Sequence, residues 1–149
     1  MGVESFLLVS TLRVALGQRL VRKLTEEKEQ YTLTPNEREE LSKIADLDRI
    51  LEVLKEEKVI KGNATWNSIP FYRPKETTDP EDGYKGRLGI HEVMRVSPTI
   101  KDIILASGTA DDIEKQARAE GMLTMVEDGI YKAALGQTSI EEVLRVISE

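Results

Sequence analysis

Cysteine is absent from the 149 residues of this chain, and histidine occurs only once, as His91. The sequence therefore excludes disulfides, thiol catalysis and a thiolate zinc site, and a single imidazole cannot form a histidine metal cluster. No apolar run approaches the ~18–20 residues that a bilayer-spanning helix needs. The apolar segment around Leu7 is short and lacks the cationic lead of a signal peptide. We therefore expect a soluble, cytoplasmic protein.

Motifs of phosphate binding and nucleophilic catalysis are also missing. The sequence contains no G-x-x-x-x-G-K-[ST] segment, and no glycine is followed by lysine, so it contains no P-loop. No serine has the surroundings of a nucleophile elbow, which leaves His91 without a Ser-His-Asp arrangement. We interpret His91 as a half-buried strand histidine with a local partner. A proton carrier or a nucleotide contact is the alternative.

Acidic residues outnumber basic ones by 27 to 21, and the formal net charge is −6. That balance argues against a nucleic-acid partner bound through a general basic field. The one dense basic group comprises Arg13, Arg19, Arg22 and Lys23. These side chains fit either a contact with phosphate or the solvated face of an amphipathic element. Gln18 beside Arg19 needs polar partners if this stretch is buried.

The hydrophobic spacing of residues 12–24 is compatible with two conformations. Leucines recur at every fourth position, as on one face of a helix, at Leu12, Leu16, Leu20 and Leu24. With Val14 they also lie on one face of a strand. An interior glycine weakens the helix by ~1 kcal/mol. The pattern alone slightly favours a helix.

Residues 25–82 are polar and have the composition of an insertion. Thr34 and Glu37 form a capping box with Pro35 at the first helical position, which predicts a helix from Pro35 to about Ala45. A second helix is predicted to follow and to end at Gly62. Its apolar face consists of Leu47, Ile50, Leu51 and Leu54.

The rest of this insertion, residues 63–82, is rich in proline and acidic residues. It predicts a loop with a short edge strand from about Ile69 to Tyr72. Trp66, Phe71 and Tyr72 are expected to anchor the loop to the core rather than to form a contact surface. We interpret its acidic residues (Glu76, Asp79, Glu81 and Asp82) as a solvated loop, because their spacing does not fit a calcium loop.

Glycines are dense at Gly83, Gly86 and Gly89, directly before an apolar β-type segment. Such density predicts positive φ or a close backbone approach, either at a ligand or at a tight return into a sheet. A strand is expected at about 87–96, followed by short helices. Their predicted starts are Ser97, Thr109, Thr124 and the capping box that begins at Thr138, and the predicted stops are Gly108, Gly121 and Gly136.

Four segments in order resemble one family. They are GVESFLL at residues 2–8, QRLVR at 18–22, YKGRLGIHEV at 84–93 and GQTSIEEVLRV at 136–146, with GMLTM at 121–125 and Asp128-Gly129 between the last two. Together they resemble the C-terminal part of the PulE/GspE/PilB motor ATPases, which drive type II secretion and type IV pilus assembly.

The resemblance implies an α/β fold that is α+β in this segment. It assigns residues 1–24 and 83–96 to the end of a RecA-like P-loop ATPase domain, where they form an antiparallel strand pair. Residues 25–82 would replace the family's zinc module, and residues 97–149 would form a C-terminal helical lobe. It also implies a helix at Phe6–Leu8 and a strand, rather than a helix, from Arg13 to Leu24.

Two departures from the family follow from the same comparison. Its Walker A, Asp box, Walker B and His box lie upstream of Gly2, which is consistent with an internal Met1 and with a piece that does not hydrolyse ATP alone. Its zinc-ligand positions fall on Thr25, Lys28, Glu76 and Asp79. None of these is a soft ligand, so zinc is excluded. We expect two helices and the aromatic anchor to hold the insertion instead.

The leading hypothesis is a C-terminal part of a secretion or pilus ATPase that contributes to hexamer packing and transmits ATP-driven motion. No catalytic residue or cofactor is assigned to this chain, since ATP and magnesium belong to the full-length family. Arg19 and Arg22 are the candidates for contact with nucleotide or a neighbouring subunit.

The implied partners are the upstream half of the same ATPase, further copies in a hexamer and an inner-membrane platform protein, at the cytoplasmic face of that membrane. The alternative is a stand-alone interaction module that binds such a platform. A nucleic-acid binder acting through the basic group is a third possibility.

Overall fold

The computed structural model describes residues 4–79 and 81–149. These residues form seven helices and four strands: α1 (Ser5–Thr11), β1 (Val14–Leu24), β2 (Lys28–Tyr31), α2 (Pro35–Ser42), α3 (Leu47–Glu56), β3 (Phe71–Pro74), β4 (Tyr84–Arg95), α4 (Pro98–Leu105), α5 (Ala110–Ala119), α6 (Met125–Ala134) and α7 (Ile140–Ile147). The strands form two separate two-stranded sheets. This mixture confirms the α+β expectation. None of the described helices has the length and apolar character needed to cross a membrane.

The chain divides into two compact units, and each is built from two separate segments. Unit 1 combines the residues up to Gly17 with His91–Thr124, and unit 2 combines Gln18–Ile90 with Met125–Glu149. Each unit contains part of β1 and part of β4. The division into the end of a RecA-like domain, an insertion and a helical lobe concerns the domains of a larger enzyme and stays a prediction.

Strand β1 pairs with β4, and the strand expected at Arg13–Leu24 is confirmed. The two run antiparallel, since the Val96 amide donates to the Arg13 carbonyl at 2.9 Å and the Thr25 amide donates to the Gly83 carbonyl at 3.0 Å. The helix that the leucine spacing slightly favoured is wrong. Neighbouring β4 supplies backbone partners along the stretch, and tertiary pairing of this kind overrides weak local propensity. The preceding helix α1 is confirmed.

The insertion contains a pair of strands, and the sequence predicted only the second of them. Residues Lys28–Tyr31 form β2, which pairs antiparallel with β3 from Lys28 opposite Pro74 to Tyr31 opposite Phe71. The predicted edge strand therefore exists, but it starts at Phe71 and ends at Pro74. This ladder closes the two ends of the insertion onto each other.

Helices α2 and α3 are confirmed, α2 at its predicted start, and both are shorter than predicted. The Glu37 amide donates to the Thr34 hydroxyl, and the Glu37 carboxylate accepts from the Thr34 amide at 2.7 Å, which is the expected capping box. Helix α2 ends at Ser42. Helix α3 ends at Glu56 rather than at Gly62, because Lys58 takes a φ of 57° and turns the chain back.

The core of unit 2 lies beneath the insertion and includes α6 and α7. The aromatic anchor is confirmed at two positions: Phe71 is fully buried, and Trp66 stacks on it with ring centres 6.3 Å apart. Tyr72 is half-buried. The largest fully buried apolar residues of this core are Ile50, Leu54, Ile69, Phe71 and Ile130.

The last four helices begin close to the predicted residues. Ser97 caps α4 and Thr109 forms a capping box on α5, as expected. The cap of α7 is Ser139, not Thr138, whose hydroxyl donates to the Arg22 carbonyl at 2.8 Å instead. Helix α4 ends at Leu105, three residues before the predicted Gly108. Its neighbour α5 packs with it in unit 1, whose core consists of Val96, Ile100 and Ala117 with surrounding partly buried residues.

Candidate functional site

A buried carboxylate in unit 2, Glu142, accepts hydrogen bonds from two arginines. It stands in the first turn of α7, and its side chain is only 1% exposed. Arg22 from β1 donates to it three times, through the backbone amide at 3.0 Å, Nε at 3.2 Å and Nη2 at 3.0 Å. Arg145, one turn further along α7, donates through Nε at 3.1 Å and Nη2 at 2.6 Å. We call these three residues the Glu142 cluster.

Two opposing effects set the pKa of Glu142. Burial raises the pKa, because a charged carboxylate loses its hydration. Hydrogen bonds from Arg145 and Arg22 act in the other direction and prevail, so the pKa falls from 4.5 to about 2. Because Glu142 is ionised at neutral pH, the Glu142 cluster carries one negative and two positive charges. Its net positive charge is accessible to solvent only at the two arginines, which are 36% and 47% exposed.

Further polar contacts tie the start of α7 to β1 and β4. The guanidinium of Arg22 lies 4.4 Å from the centre of the Tyr84 ring, and the Tyr84 hydroxyl shares a 2.7 Å hydrogen bond with the Ser139 hydroxyl. Burial raises the pKa of Tyr84, so this hydroxyl stays neutral. The Ser139 hydroxyl in turn accepts from the Glu142 amide at 3.1 Å as the N-cap of α7. These contacts fix the first turn of the helix.

Arg19 binds the other end of the same helix. Its Nη1 donates to the carbonyls of Val146 and Glu149, at 2.5 Å and 3.3 Å. A cation there is favourable because the last carbonyls of a helix have no partner within it and carry the negative end of its dipole. The two predicted site residues, Arg19 and Arg22, therefore both contact the same helix, α7. Their contact with nucleotide or with a neighbouring subunit is taken up below as a proposal.

The glycine-rich stretch, which overlaps the first half of β4, needs glycine conformation at one position. Gly86 has a φ of +81°, whereas Gly83 and Gly89 do not adopt positive φ. The carbonyl of Gly89 accepts a 2.7 Å hydrogen bond from the Lys132 ammonium of α6. Only Gly83 lies in the turn that leads into β4, whereas Gly86 and Gly89 lie inside the strand, so the two predicted uses of this stretch stay predictions.

The four positions aligned with the family's zinc ligands are either exposed or bonded elsewhere in this chain. The Lys28 ammonium donates to the Gly136 carbonyl at 2.8 Å and lies 5.0 Å from the centre of the Tyr72 ring. Glu76 and Asp79 are exposed, and the Thr25 amide bonds the Gly83 carbonyl. Across residues 4–79 and 81–149, no three His, Cys, Asp or Glu side chains are grouped so that they could hold a metal ion.

Sequence reasoning missed the acidic half of this site. Glu142 lies in the first turn of the last helix, where acidic residues are common, so its type and position alone do not mark it as part of a site. Its partner Arg22 lies 120 residues earlier in the chain, so local spacing cannot connect them. The one available signal was the basic group of β1, which required acceptors if it was to be buried. His91 lies half-buried in β4, as interpreted from the sequence.

Comparison with known proteins identifies the family to which the chain belongs. The sequence profile described as "Type II/IV secretion system protein" matches residues 1–145. The chain is 38% identical over its full length to the type II secretion system protein E of Xanthomonas campestris pv. campestris. It is 34% identical to the type IV pilus assembly ATPase PilB of Pseudomonas aeruginosa and to the type II secretion system ATPase E of Vibrio cholerae, again over its full length.

The chain therefore belongs to the type II/IV secretion system protein family. Within that family its similarity is to the GspE and PilB ATPases, as the sequence motifs indicated. The chain spans about a quarter of the length of these relatives, 24%, 23% and 26% respectively.

Proposed function

We propose that this chain is the C-terminal part of a type II secretion or type IV pilus assembly ATPase, and that it contributes to hexamer packing and to transmission of ATP-driven motion. Similarity over its whole length to relatives named as such ATPases supports the proposal. The P-loop that binds ATP and magnesium would belong to the upstream half of the enzyme, because the 149 residues contain no such motif.

The observation that carries this proposal is the double attachment of α7 to β1. Arg22 binds the first turn of the helix through Glu142, and Arg19 binds the Val146 carbonyl in its last turn. Paired, charge-assisted hydrogen bonds are short and directional, so two of them at opposite ends resist both sliding and rotation of the helix. A displacement of β1 would therefore carry α7 with it. This is the mechanical property that a transmitting element needs.

Exposed apolar residues support the assignment of β1 and β4 to a larger RecA-like sheet. In unit 1, Val14, Leu16 and Val93 are 52%, 61% and 49% exposed. Apolar side chains on a two-stranded sheet with open edges normally indicate a covering partner. In the proposed enzyme, the upstream half of the same ATPase would provide that cover.

The remaining parts of the proposal concern location and partners. The enzyme would work as a homohexamer at the cytoplasmic face of the inner membrane, next to a platform protein of the secretion or pilus machine. Arg19, which is exposed apart from its contacts with α7, is the residue we assign to a contact with nucleotide or with the neighbouring subunit. Arg22 is the second candidate, because about a third of its side chain remains exposed.

The proposal can be tested with a chimera. The upstream three quarters of the Vibrio cholerae ATPase are fused to this chain, and hexamer formation and ATP turnover are measured by sedimentation and phosphate release. We expect the chimera to assemble and to hydrolyse ATP, and Arg19→Ala to reduce turnover about tenfold or more, a typical effect of removing one charged contact. Lys43→Ala removes an exposed charge at the residue that follows α2 and serves as the control.

Two measurements separate this function from its alternatives. Thermal unfolding of the chain alone with Arg19→Ala shows whether the loss of turnover reflects only a loosened α7. Unchanged turnover and assembly in the Arg19→Ala chimera would exclude the proposed role of this residue. A chimera that fails to assemble, together with a monodisperse chain that does not bind ATP, would favour the stand-alone interaction module.

A further inference from the structure

An apolar groove of about 330 Å³ lies within unit 2, between the end of β2, one face of α2 and the first turns of α7. We call it the Tyr31 groove. Its floor is made of apolar side chains that belong to the main core of unit 2 and are held in place by the packing of that core. The floor residues are Tyr31, Leu33, Leu41, Ile140 and Leu144.

Carboxylates border the groove on two sides. Glu37 and Glu40 lie on α2, Glu141 lies on α7, and all three residues are exposed. The remaining lining residue, Asn36, is neutral. Among the residues that the structure describes, no lysine or arginine lines the groove. The groove therefore combines an apolar floor with a negatively charged rim.

Two cations close to the groove leave most of this negative charge in place. Lys43 lies 2.6 Å from the Glu40 carboxylate and offsets that charge alone. The Arg73 guanidinium lies over the aromatic ring of the floor, but its Nε binds the Glu29 carboxylate at 2.8 Å. Each cation thus has a carboxylate of its own, and the charges of the other rim carboxylates remain available to a ligand.

The hydroxyl of Tyr31 lies in the field of these carboxylates. Burial raises the pKa of Tyr31, Glu141 and Glu37 raise it further, and Arg73 opposes them more weakly. The hydroxyl is therefore neutral at neutral pH and can donate a hydrogen bond. A phosphate or carboxylate group in the groove would be repelled by the same charges, which disfavours nucleotides, nucleic acids and anionic lipids as ligands.

We propose that the Tyr31 groove binds a segment of a partner protein in which large apolar side chains are flanked by lysine or arginine. The apolar side chains cover the floor, and the cations lie beside the rim carboxylates of α2 and α7. Charge complementarity selects this occupant, because an acidic segment is repelled and a purely apolar one leaves the rim without partners. The inference does not rest on the proposed role in the ATPase, since no lining residue belongs to the Glu142 cluster or binds Arg19.

The probe is the peptide acetyl-Gly-Lys-Leu-Leu-Lys-Gly-amide, which is titrated into the chain with ¹³C-labelled methyl groups at neutral pH. Two matched peptides separate the two parts of the recognition. One carries glutamate in place of both lysines, and the other carries serine in place of both leucines. In the NMR spectra, the methyl signals of Leu33, Ile140 and Leu144 represent the floor, and that of Ile100, which is buried in unit 1, is the reference.

We expect the lysine–leucine peptide to shift the floor signals in a saturable manner and to leave the Ile100 signal in place. The glutamate and serine peptides should each bind about tenfold more weakly or worse. Glu40→Gln with Glu141→Gln should weaken binding of the first peptide about three- to tenfold, because solvent screens these exposed charges. Glu26→Gln with Glu39→Gln removes the same charge from exposed positions outside the groove and should leave the affinity unchanged.

Several results would overturn the inference. Equal affinity for the three peptides, or an absence of shifts at the floor, would exclude the proposed recognition. Equal losses in the two double variants would assign the binding to the net charge of the chain. Floor signals that shift with protein concentration in the absence of peptide would identify a second copy as the occupant. Saturable shifts of the same signals with phosphatidylglycerol vesicles would identify a lipid surface instead.

Discussion

Replacing Glu142 by glutamine tests whether the buried carboxylate holds α7 onto β1. The amide has the same shape, but it loses the charge and one of the two acceptor oxygens. Each oxygen accepts from both arginines: Oε1 from Arg22 and Arg145, and Oε2 likewise. At least two donors of the Glu142 cluster therefore lose their acceptor in E142Q, whichever way the amide turns.

The loss of folding free energy in E142Q can be worked out in two ways. Hydrogen bonds to a charged partner contribute about 1.5–3 kcal/mol each, and the partly exposed arginines can recover part of this from water, which gives a net loss of about 2–3 kcal/mol. The lowering of the pKa from 4.5 to about 2 corresponds to about 3 kcal/mol at neutral pH. This second value is an upper limit, because the two arginines are 36% and 47% exposed and solvent screens them.

The lowered pKa also predicts how the stability difference between the wild-type chain and E142Q changes with pH. The pKa of Glu142 is lower in the folded chain than in the unfolded one, so its stabilisation is complete above about pH 4.5 and is lost as the pH falls toward 2. The free energy of unfolding of the wild-type chain should therefore exceed that of E142Q by about 2–3 kcal/mol at pH 7, and less than half of this difference should remain at about pH 3.

Urea unfolding at several pH values measures this difference. Glu141→Gln is the matched control, since Glu141 is its neighbour in the first turn of α7 and is exposed. We expect that change to cost about 0.5 kcal/mol or less. A difference for E142Q below about 0.5 kcal/mol at neutral pH, or one that does not shrink on acidification, would refute the role given to Glu142.

Two further predictions concern helix caps and helix packing. Thr34→Ala removes the hydroxyl of the capping box and should lower the free energy of unfolding by about 1 kcal/mol, whereas the exposed Thr32→Ala should have little effect in the same urea experiment. Gly129→Ala places a Cβ 2.6 Å from Cγ1 of Val143, so it should cost about 1–3 kcal/mol. Combining it with Val143→Ala should cost less than the sum of the two single changes, and strict additivity would contradict this contact.

Local signals predicted the helices well, because a cap acts within four residues. Thr34 and Thr109 start their helices where the sequence indicated. The stops were less accurate. Lys58 and Ser107 turn the chain after α3 and α4 with a φ of 57° and 58°, a conformation that glycine usually adopts. Glycine positions therefore predict both ends too far along the chain.

The strands depended on partners that are distant in sequence. The polar segment of β2 has no apolar alternation, and it becomes a strand because β3 pairs with it and Arg73 bonds the Glu29 carboxylate at 2.8 Å. For β1 the leucine spacing was ambiguous, and only the family resemblance indicated the strand. Glu142 escaped prediction for the same reason, since the residue that makes it a site lies 120 positions away.

The composition of the two units from separate segments has a consequence for how the protein folds during synthesis. Residues 18–90 leave the ribosome long before residues 125–149, yet the core of unit 2 requires side chains from both segments. Closing so long a loop is slow, and the apolar residues of α3 and β3 stay uncovered until it happens. Chaperones would therefore meet the insertion in an incomplete state. Packing of α6 and α7 against α3 and β3 is the step that removes this exposed surface.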